Sequence, residues 1–370
     1  MPAFLAEPPF THDAPRRLGV LLVNLGTPEA PTANAVRRYL AEFLADRRVV
    51  EIPRAVWKPI LHGVILRLRP GKSAQRYAKI WTKDGSPLLV HSQRQKTLLL
   101  GYLGQRLKSL GLPSDYAQVE LGMRYGKPSI AEAMAKLHQH GSTRVLVVPM
   151  YPQYAASTTA STLDAVYARA RQMRRMPALR AVDAFHDDAG YIGALAQNIN
   201  DYWVKHGRPD KLVLSFHGVP RRTLELGDPY HCHCQKTARL LVTELGLQPA
   251  QYVVAFQSRF GGAEWLKPYT QQVLLALGKE RVRRVDVACP GFVSDCLETL
   301  EEIGLAGRAA FVNAGGQEFH AIPCLNETPG WIAALADLAL RHLGGWLEMP
   351  PDQAGREQTS LRARALGARQ

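Results

Sequence analysis

The sequence predicts an α/β protein of two doubly wound domains with parallel sheets, and three observations predict it. Short apolar runs recur without the polar alternation of a half-exposed strand, as expected of parallel strands buried on both faces. Segments with apolar residues at helical spacing separate these runs. The alternation runs through once and then restarts, within a length of 370 residues that suits two such domains.

Gly19–Asn24 (GVLLVN) is the first strand and ends at Gly26. Val36, Leu40, Phe43 and Leu44 follow at helical spacing, after the turn-forming Pro28 and Pro31. Leu121–Met123 and Val145–Met150 read as further strands, with a helix from Ile130 to Leu137 between them. The second round has a helix over Ile192–Trp203, a strand over Leu212–Phe216 and a helix over Thr237–Leu245. Strands over Tyr252–Phe256 and Val285–Ala288 come next, each followed by helical pattern. A last helix opens at Thr328–Pro329–Gly330, a cap residue followed by proline, and stops at Gly344–Gly345. The expected organisation is an extension over 1–17, a first domain over 18–165, a second over 166–327, a helix over 328–345 and a polar tail over 346–370. The tail carries Arg356, Arg362, Arg364 and Arg369 and reads as charged and solvated, with an electrostatic membrane tether as the sharper alternative.

Composition narrows the function classes. With 46% hydrophobic and 21% charged residues, wholesale disorder and a fibrous repeat are excluded. Forty-six Lys and Arg against 32 Asp and Glu leave a net charge of +14, which attracts phosphate, nucleic acid or an anionic membrane without selecting among them. Five cysteines over this length are not a disulfide framework. Met1–Arg17 carries prolines, Glu7 and Asp13 where a signal peptide needs an unbroken apolar stretch, and no uncharged apolar run approaches a membrane span. The expectation is a soluble protein of a reducing compartment, with its cysteines as thiols or metal ligands.

Ligands of open parallel sheets bind beyond the carboxyl ends of the strands, so the residues just after each strand carry the chemistry. His217 directly follows the strand in LVLSFHGVP, with Gly218 and Pro220 turning the chain behind it. In CPGFVSDCLETLEEI (289–303) a helix is expected from about Ser294. At 100° per residue, Asp295, Glu298 and Glu302 then fall within about 60° of one another, and Glu301 lies at the edge of that stripe. Like charges so spaced destabilise a helix, so a solvated acidic face competes with a functional one. Stacked carboxylates opposite a histidine suit divalent metal binding or proton relay. A basic and hydroxylic set, Arg69, Tyr77, Ser86, Arg124 and Tyr151–Ser161, reads as loop composition able to receive an anionic ligand. His231–Cys232–His233–Cys234 has the density of a metal ligand set, but its spacing is too tight for tetrahedral zinc. No Walker loop and no strand followed by GxGxxG occurs, so nucleotide chemistry has no motif.

From about Gly19 to Leu343 the chain resembles the ferrochelatases. The segments that carry the resemblance are VNLGTPEAP (23–31), YPQYAASTT (151–159), SFHGVP (215–220), FQSRFGGAEWLKPYT (256–270) and CPGFVSDCLETLEEI (289–303). The resemblance implies two Rossmann-like, chelatase-type domains enclosing a cleft. It also implies insertion of Fe²⁺ into protoporphyrin IX with release of two protons, and no dissociable cofactor. It gives His217 and Glu298 the roles of the essential histidine and glutamate, catalytic and metal-directing, and makes Asp295 and Glu302 the rest of an acidic relay. Arg69, Tyr77, Ser86 and Arg124 fall where the family contacts the porphyrin or its propionates, and Leu25, Trp265 and Phe292 where it walls the pocket. The implied partners are protoporphyrin IX and Fe²⁺ rather than nucleic acid, in the cytoplasm, with weak contact to an anionic membrane as a further reading. The animal iron–sulfur cluster is excluded, because residues 350–370 hold no cysteine and the matching internal position is Ala156. The five internal cysteines remain formally open to a bacterial type of cluster, although none has a cluster signature's spacing. Cys296 stands where the family often has histidine. A chelatase for coproporphyrin or sirohydrochlorin, and a non-catalytic haem or iron carrier, are the competing readings.

Overall fold

The computed structural model of the chain describes residues 4–9, 11–15, 17–259 and 261–369. Among them, eight strands form two parallel sheets. The first holds β1 (Arg17–Gly26), β2 (Ala117–Tyr125), β3 (Ser142–Pro149) and β4 (Ala178–Ala181) in the order β2-β1-β3-β4. The second holds β5 (Lys211–His217), β6 (Tyr252–Gln257), β7 (Arg284–Ala288) and β8 (Glu318–Ala321) in the order β6-β5-β7-β8. The doubly wound pattern therefore occurs twice. In each sheet the winding reverses beside the first strand, between β1 and β3 and between β5 and β7, which is where such sheets open a crevice.

The continuous apolar runs have a direct cause. Along β1, Leu18, Val20 and Leu22 point into one buried cluster while Leu21 and Val23 point into another. Along β5, Leu212, Leu214 and Phe216 share that first cluster, and Val213 belongs to a third. One face of each sheet thus faces a single common core.

The helices of the first half are α1 (Ala33–Ala45), α2 (Arg54–Ile60), α3 (Leu66–Ile80), α4 (Pro87–Ser109), α5 (Ile130–Gln139) and α6 (Ser161–Ala170). Those of the second are α7 (Ala189–His206), α8 (Arg221–Glu225), α9 (Tyr230–Glu244), α10 (Thr270–Lys279), α11 (Arg308–Asn313), α12 (Pro329–Leu343) and α13 (Gln353–Ala365). Stretches of π-helix occupy Leu61–Ile65, Ala156–Ala160 and Glu298–Gly307. Leu99, Leu103 and Leu107 of α4, Leu241 of α9 and Trp331 to Leu343 of α12 fill the common core. The last of these helices starts at Pro329 and stops at Gly344, where its cap signals put it.

Three sequence expectations change. The boundary expected at 165 falls inside α6, and the first sheet runs on to β4. Residues 54–80 and 87–109 are helical, although the stretch 69–87 has loop composition and no element is expected in the rest. The tail expected to be polar and mobile holds α13, with Asp352 capping it through Gly355 N at 2.8 Å.

The two halves are also joined by polar bonds around the segment after β3. Gln153 Nε2 donates to Thr237 Oγ1 at 2.9 Å, Tyr154 N donates to His233 Nδ1 at 3.2 Å, and Ala156 N donates to Asp228 at 2.7 Å. The His233 ring lies on that of His186, with centroids 3.6 Å apart and planes 5° from parallel. Burial, and then the neighbouring His233, hold the His186 pKa down to about 4 from an ordinary 6.5. Burial lowers that of His233 as well. In the unfolded chain His186 takes its proton near 6.5, whereas the folded chain refuses it until about 4. The unfolded state therefore binds more protons across that window, and stability, complete above it, falls as pH drops through it. His186→Phe keeps the stacked ring and removes the titration. Urea midpoints at pH 7 and pH 5 should differ less in this variant than in the parent, and an unchanged difference would clear His186 of the acid sensitivity.

Candidate active site

Residues at the strand ends come together in two groups. On the first sheet, the chain leaves β1 at Gly26, whose φ is +109° and where a Cβ would lie 1.8 Å from the Tyr125 carbonyl oxygen, so only glycine turns here. Leu25 just before it is half-buried. Thr27 just after it donates to Ser86 Oγ at 2.8 Å. Ser86 precedes Pro87, the first residue of α4, so the helix start carries the hydroxyl to the end of β1. Tyr77 reaches the same place from α3, buried beside Val36. Burial pushes its hydroxyl pKa well up, and the Glu298 carboxylate nearby adds to the shift. Tyr39 of α1 is raised by burial first, then by Tyr77 and Glu298. Both phenols stay neutral donors near Glu298.

On the second sheet, His217 ends β5. Its Nδ1 lies 2.6 Å from the Gly218 carbonyl oxygen. A carbonyl only accepts, so Nδ1 carries a proton, and the neutral ring is the tautomer with its lone pair on Nε2. Trp265 and Phe292 flank the imidazole, with centroids at 6.5 and 6.4 Å. Tyr230 donates its hydroxyl to the His217 backbone carbonyl at 2.9 Å. At Gly218 a Cβ would meet the Gln257 carbonyl oxygen at 2.7 Å and Trp265 at 3.1 Å, so glycine lets the histidine turn pack against both.

The acidic segment departs from its expected geometry. The helix begins at Leu297, not near Ser294, and is π-helical over Glu298–Gly307. Asp295 precedes it and is buried, accepting from Thr299 Oγ1 at 2.9 Å, Cys324 N at 3.4 Å and Asn326 Nδ2 at 2.7 Å. Glu301 turns to Arg76 at 2.6 Å and Lys79 at 3.3 Å. Glu302 accepts from Ser258 N and Ser258 Oγ, both at 2.7 Å. Glu298 is half-buried beside Tyr39, Tyr77 and Cys296. The expected single stripe is thus four carboxylates held in four different ways.

The basic set divides too. Arg69 is half-buried on α3, its guanidinium pKa lowered by burial and then by Arg76. Arg124 bonds Ser161 Oγ at 2.7 Å through Nε, pairs with Asp46 and lies over the Tyr125 ring at 4.5 Å. It lines a hollow of about 390 Å³ with Asp46, Arg47, Arg48, Arg54 and Asp164, which no other predicted site residue lines. On α9 the His231–Cys234 run is split around the helix. His231 stacks on Phe256, His233 on His186, Cys234 is buried and Cys232 exposed. Among the described residues no three His, Cys, Asp or Glu side chains are placed to hold a metal ion. Gln257 and Ser258, which bind the helix of Glu298, escaped the sequence reading although they sit at a strand's carboxyl end, the place where that rule looks.

An imidazole at a strand's carboxyl end with aromatic flanks, and a half-buried carboxylate in the segment that follows a neighbouring strand of the same sheet, have the makings of an enzyme site of the doubly wound class. The ferrochelatase sequence profile matches residues 17–343. The chain is 60% identical to a ferrochelatase of Methylibium petroleiphilum over 98% of both chains, 58% to one of Aromatoleum aromaticum over 100% of both, and 57% to one of an Azoarcus species over 100% of this chain and 99% of the relative. The chain belongs to the ferrochelatase family, lyases that insert Fe²⁺ into porphyrin to give protohaem.

The Glu302 bonds oppose the relief that charge spacing alone leads one to expect from removing a carboxylate of this helix. Glu302→Leu strands the N–H and O–H of Ser258, and each lost partner of a shielded group costs about 1–3 kcal/mol. A urea midpoint lower than the parent's is expected; an equal or higher one would show that repulsion outweighs the bonds.

Proposed function

We propose that the cleft carries out iron insertion into protoporphyrin IX with His217 Nε2 as acceptor of the pyrrole protons and Glu298 as the group that presents Fe²⁺. The observation that carries this reading is the Nδ1–H to Gly218 bond at 2.6 Å, which fixes the tautomer and leaves Nε2 as a base. A planar macrocycle hides its nitrogen lone pairs in the ring plane, and bending it costs a few kcal/mol. Trp265, Phe292 and Leu25 supply a wall against which a bent ring is held. Arg69 pairs with a propionate, the hydroxyls of Tyr77 and Ser86 orient the ring edge, and a propionate that reaches Arg124 has to displace Asp46 from it. Asp295 and Glu302, already bonded through both oxygens, serve the outward route as fixed negative charge. The reaction needs no cofactor, because iron keeps its oxidation state and only protons leave, and none of the five cysteines serves a cluster.

The same reading extends to a weak contact with an anionic membrane for a cytoplasmic enzyme. Among the described residues no helix is long and apolar enough to cross one. Ile52, Val56, Ile60, Val64 and Leu68 recur every four residues and are each 39–69% exposed. Steps of four overshoot an α-turn by about 40°, and the wider π-turn at Leu61–Ile65 takes back part of that drift. Residues 52–83 contain no Asp or Glu and eight Lys or Arg. An apolar stripe with cationic flanks suits the interface of an anionic bilayer.

His217→Ala and Glu298→Gln should each lower kcat by about 10²-fold or more, roughly 3 kcal/mol of transition-state stabilisation, while porphyrin still quenches tryptophan fluorescence. Activity within a few-fold of the parent would remove that residue from the mechanism. Val56→Ser combined with Leu68→Ser should weaken sedimentation with phosphatidylglycerol-containing vesicles while leaving kcat in detergent unchanged, and the parent's binding should fade as salt rises. Equal binding to neutral and anionic vesicles would contradict the membrane reading.

A further inference from the structure

The end of β6 carries two residues that the scheme above leaves unused. Gln257 is 4% exposed, and its pairing along β6 sets it directly beside His217. Its backbone carbonyl accepts from Gly218 N at 2.7 Å. Its Oε1 accepts from Ser215 Oγ at 2.7 Å and from Cys289 Sγ at 3.7 Å. Its Nε2 donates to the Glu298 backbone carbonyl at 2.9 Å. The amide cannot be turned over, because a carbonyl has no proton to offer an Oε1 placed there. One side chain thus joins β5, the start of the segment after β7 and the first turn of the Glu298 helix.

Ser258 adds a second attachment. It stands in the left-handed region at φ +67°, rare for a residue with a Cβ, and gives both of its donors to Glu302. The helix is therefore held at Glu298 and again four residues on. Through the Gln257 side chain the Glu298 turn and the histidine strand are bonded to one and the same residue. Misplacing a reacting group by about 1 Å can cost on the order of 10²-fold in rate.

We propose that Gln257 is a positioning residue for iron insertion, its amide holding the Glu298 turn at a set distance from His217 so that metal and proton acceptor meet the macrocycle together. This rests on the reading of His217 and Glu298 given above. A merely structural tie would instead act on stability, with kcat and porphyrin KM worsening together.

The test uses Gln257→Leu, which removes both bonds, and Gln257→Glu, which keeps the acceptor for Ser215. Haem formation is followed anaerobically with Fe²⁺ and protoporphyrin IX, beside porphyrin binding and melting temperature. The expected result is a 10- to 100-fold lower kcat with porphyrin KM and binding within twofold of the parent. A carboxyl group that regains its proton can again donate to the Glu298 carbonyl, so the activity of Gln257→Glu relative to the parent should rise as pH falls. In a Glu298→Gln background, Gln257→Leu should cost less than a further twofold. Fully multiplicative losses, a folded Gln257→Leu protein with kcat within twofold of the parent, or equal losses in kcat and KM would each overturn the proposal. Full activity of Glu298→Gln alone would instead overturn the assignment of Glu298.

Discussion

The architecture depends on one constraint: an amide shut away from water must have both ends bonded. Leaving one end unmet costs about 1–3 kcal/mol. Three buried glutamines stand where chain segments of the two halves meet or where the site is assembled. Gln95 of α4 donates to the carbonyls of Val293 at 3.2 Å and Asn326 at 2.7 Å, and accepts from Ser294 at 3.2 Å. Gln153 bonds Thr237 across the halves, and Gln257 joins the histidine strand to the glutamate helix. Hydrophobic burial brings the sheets to one common core, but it is non-directional and tolerates sliding. The amides do not tolerate it, and they fix the register of the strand ends that form the cleft.

That fixed register sets the surroundings of the groups proposed to react. The groups around Glu298 are neutral hydroxyls and thiols. Burial, and then Glu298 itself, push the Cys296 thiol well up, and burial raises Tyr39 and Tyr77 in the same way. The neighbours of Glu298 thus differ from those of Glu301, which is paired with Arg76 and Lys79. On the opposite strand end the imidazole is held in one tautomer by a backbone carbonyl, an arrangement that needs no second acid.

Much of this was legible in the sequence where burial alone decides the outcome. The runs at β1, β3, β5 and β7 are buried on both faces and read as parallel strands, and His217 follows from the strand-end rule. β4 and β8 escaped because they are four residues long and only partly buried, so they lack an apolar run. α2 and α3 escaped because their exposed apolar stripe and internal Pro59 and Pro70 obscure helical periodicity. The acidic stripe was misjudged because a 100° step assumes an α-helix, and no simple pattern announces a π-helix. The roles of Gln95, Gln153 and Gln257 were invisible because each is defined by partners far away in sequence, and a lone glutamine carries no signal of burial.

The central claim is that this cleft exchanges two pyrrole protons for one Fe²⁺. It is tested most directly by following haem absorbance and proton release together in a single anaerobic turnover, in weakly buffered solution with a pH indicator. The account predicts two protons released for each haem formed, with both signals rising at one rate. Porphyrin that binds without forming haem, or haem taken up with no proton released, would contradict it.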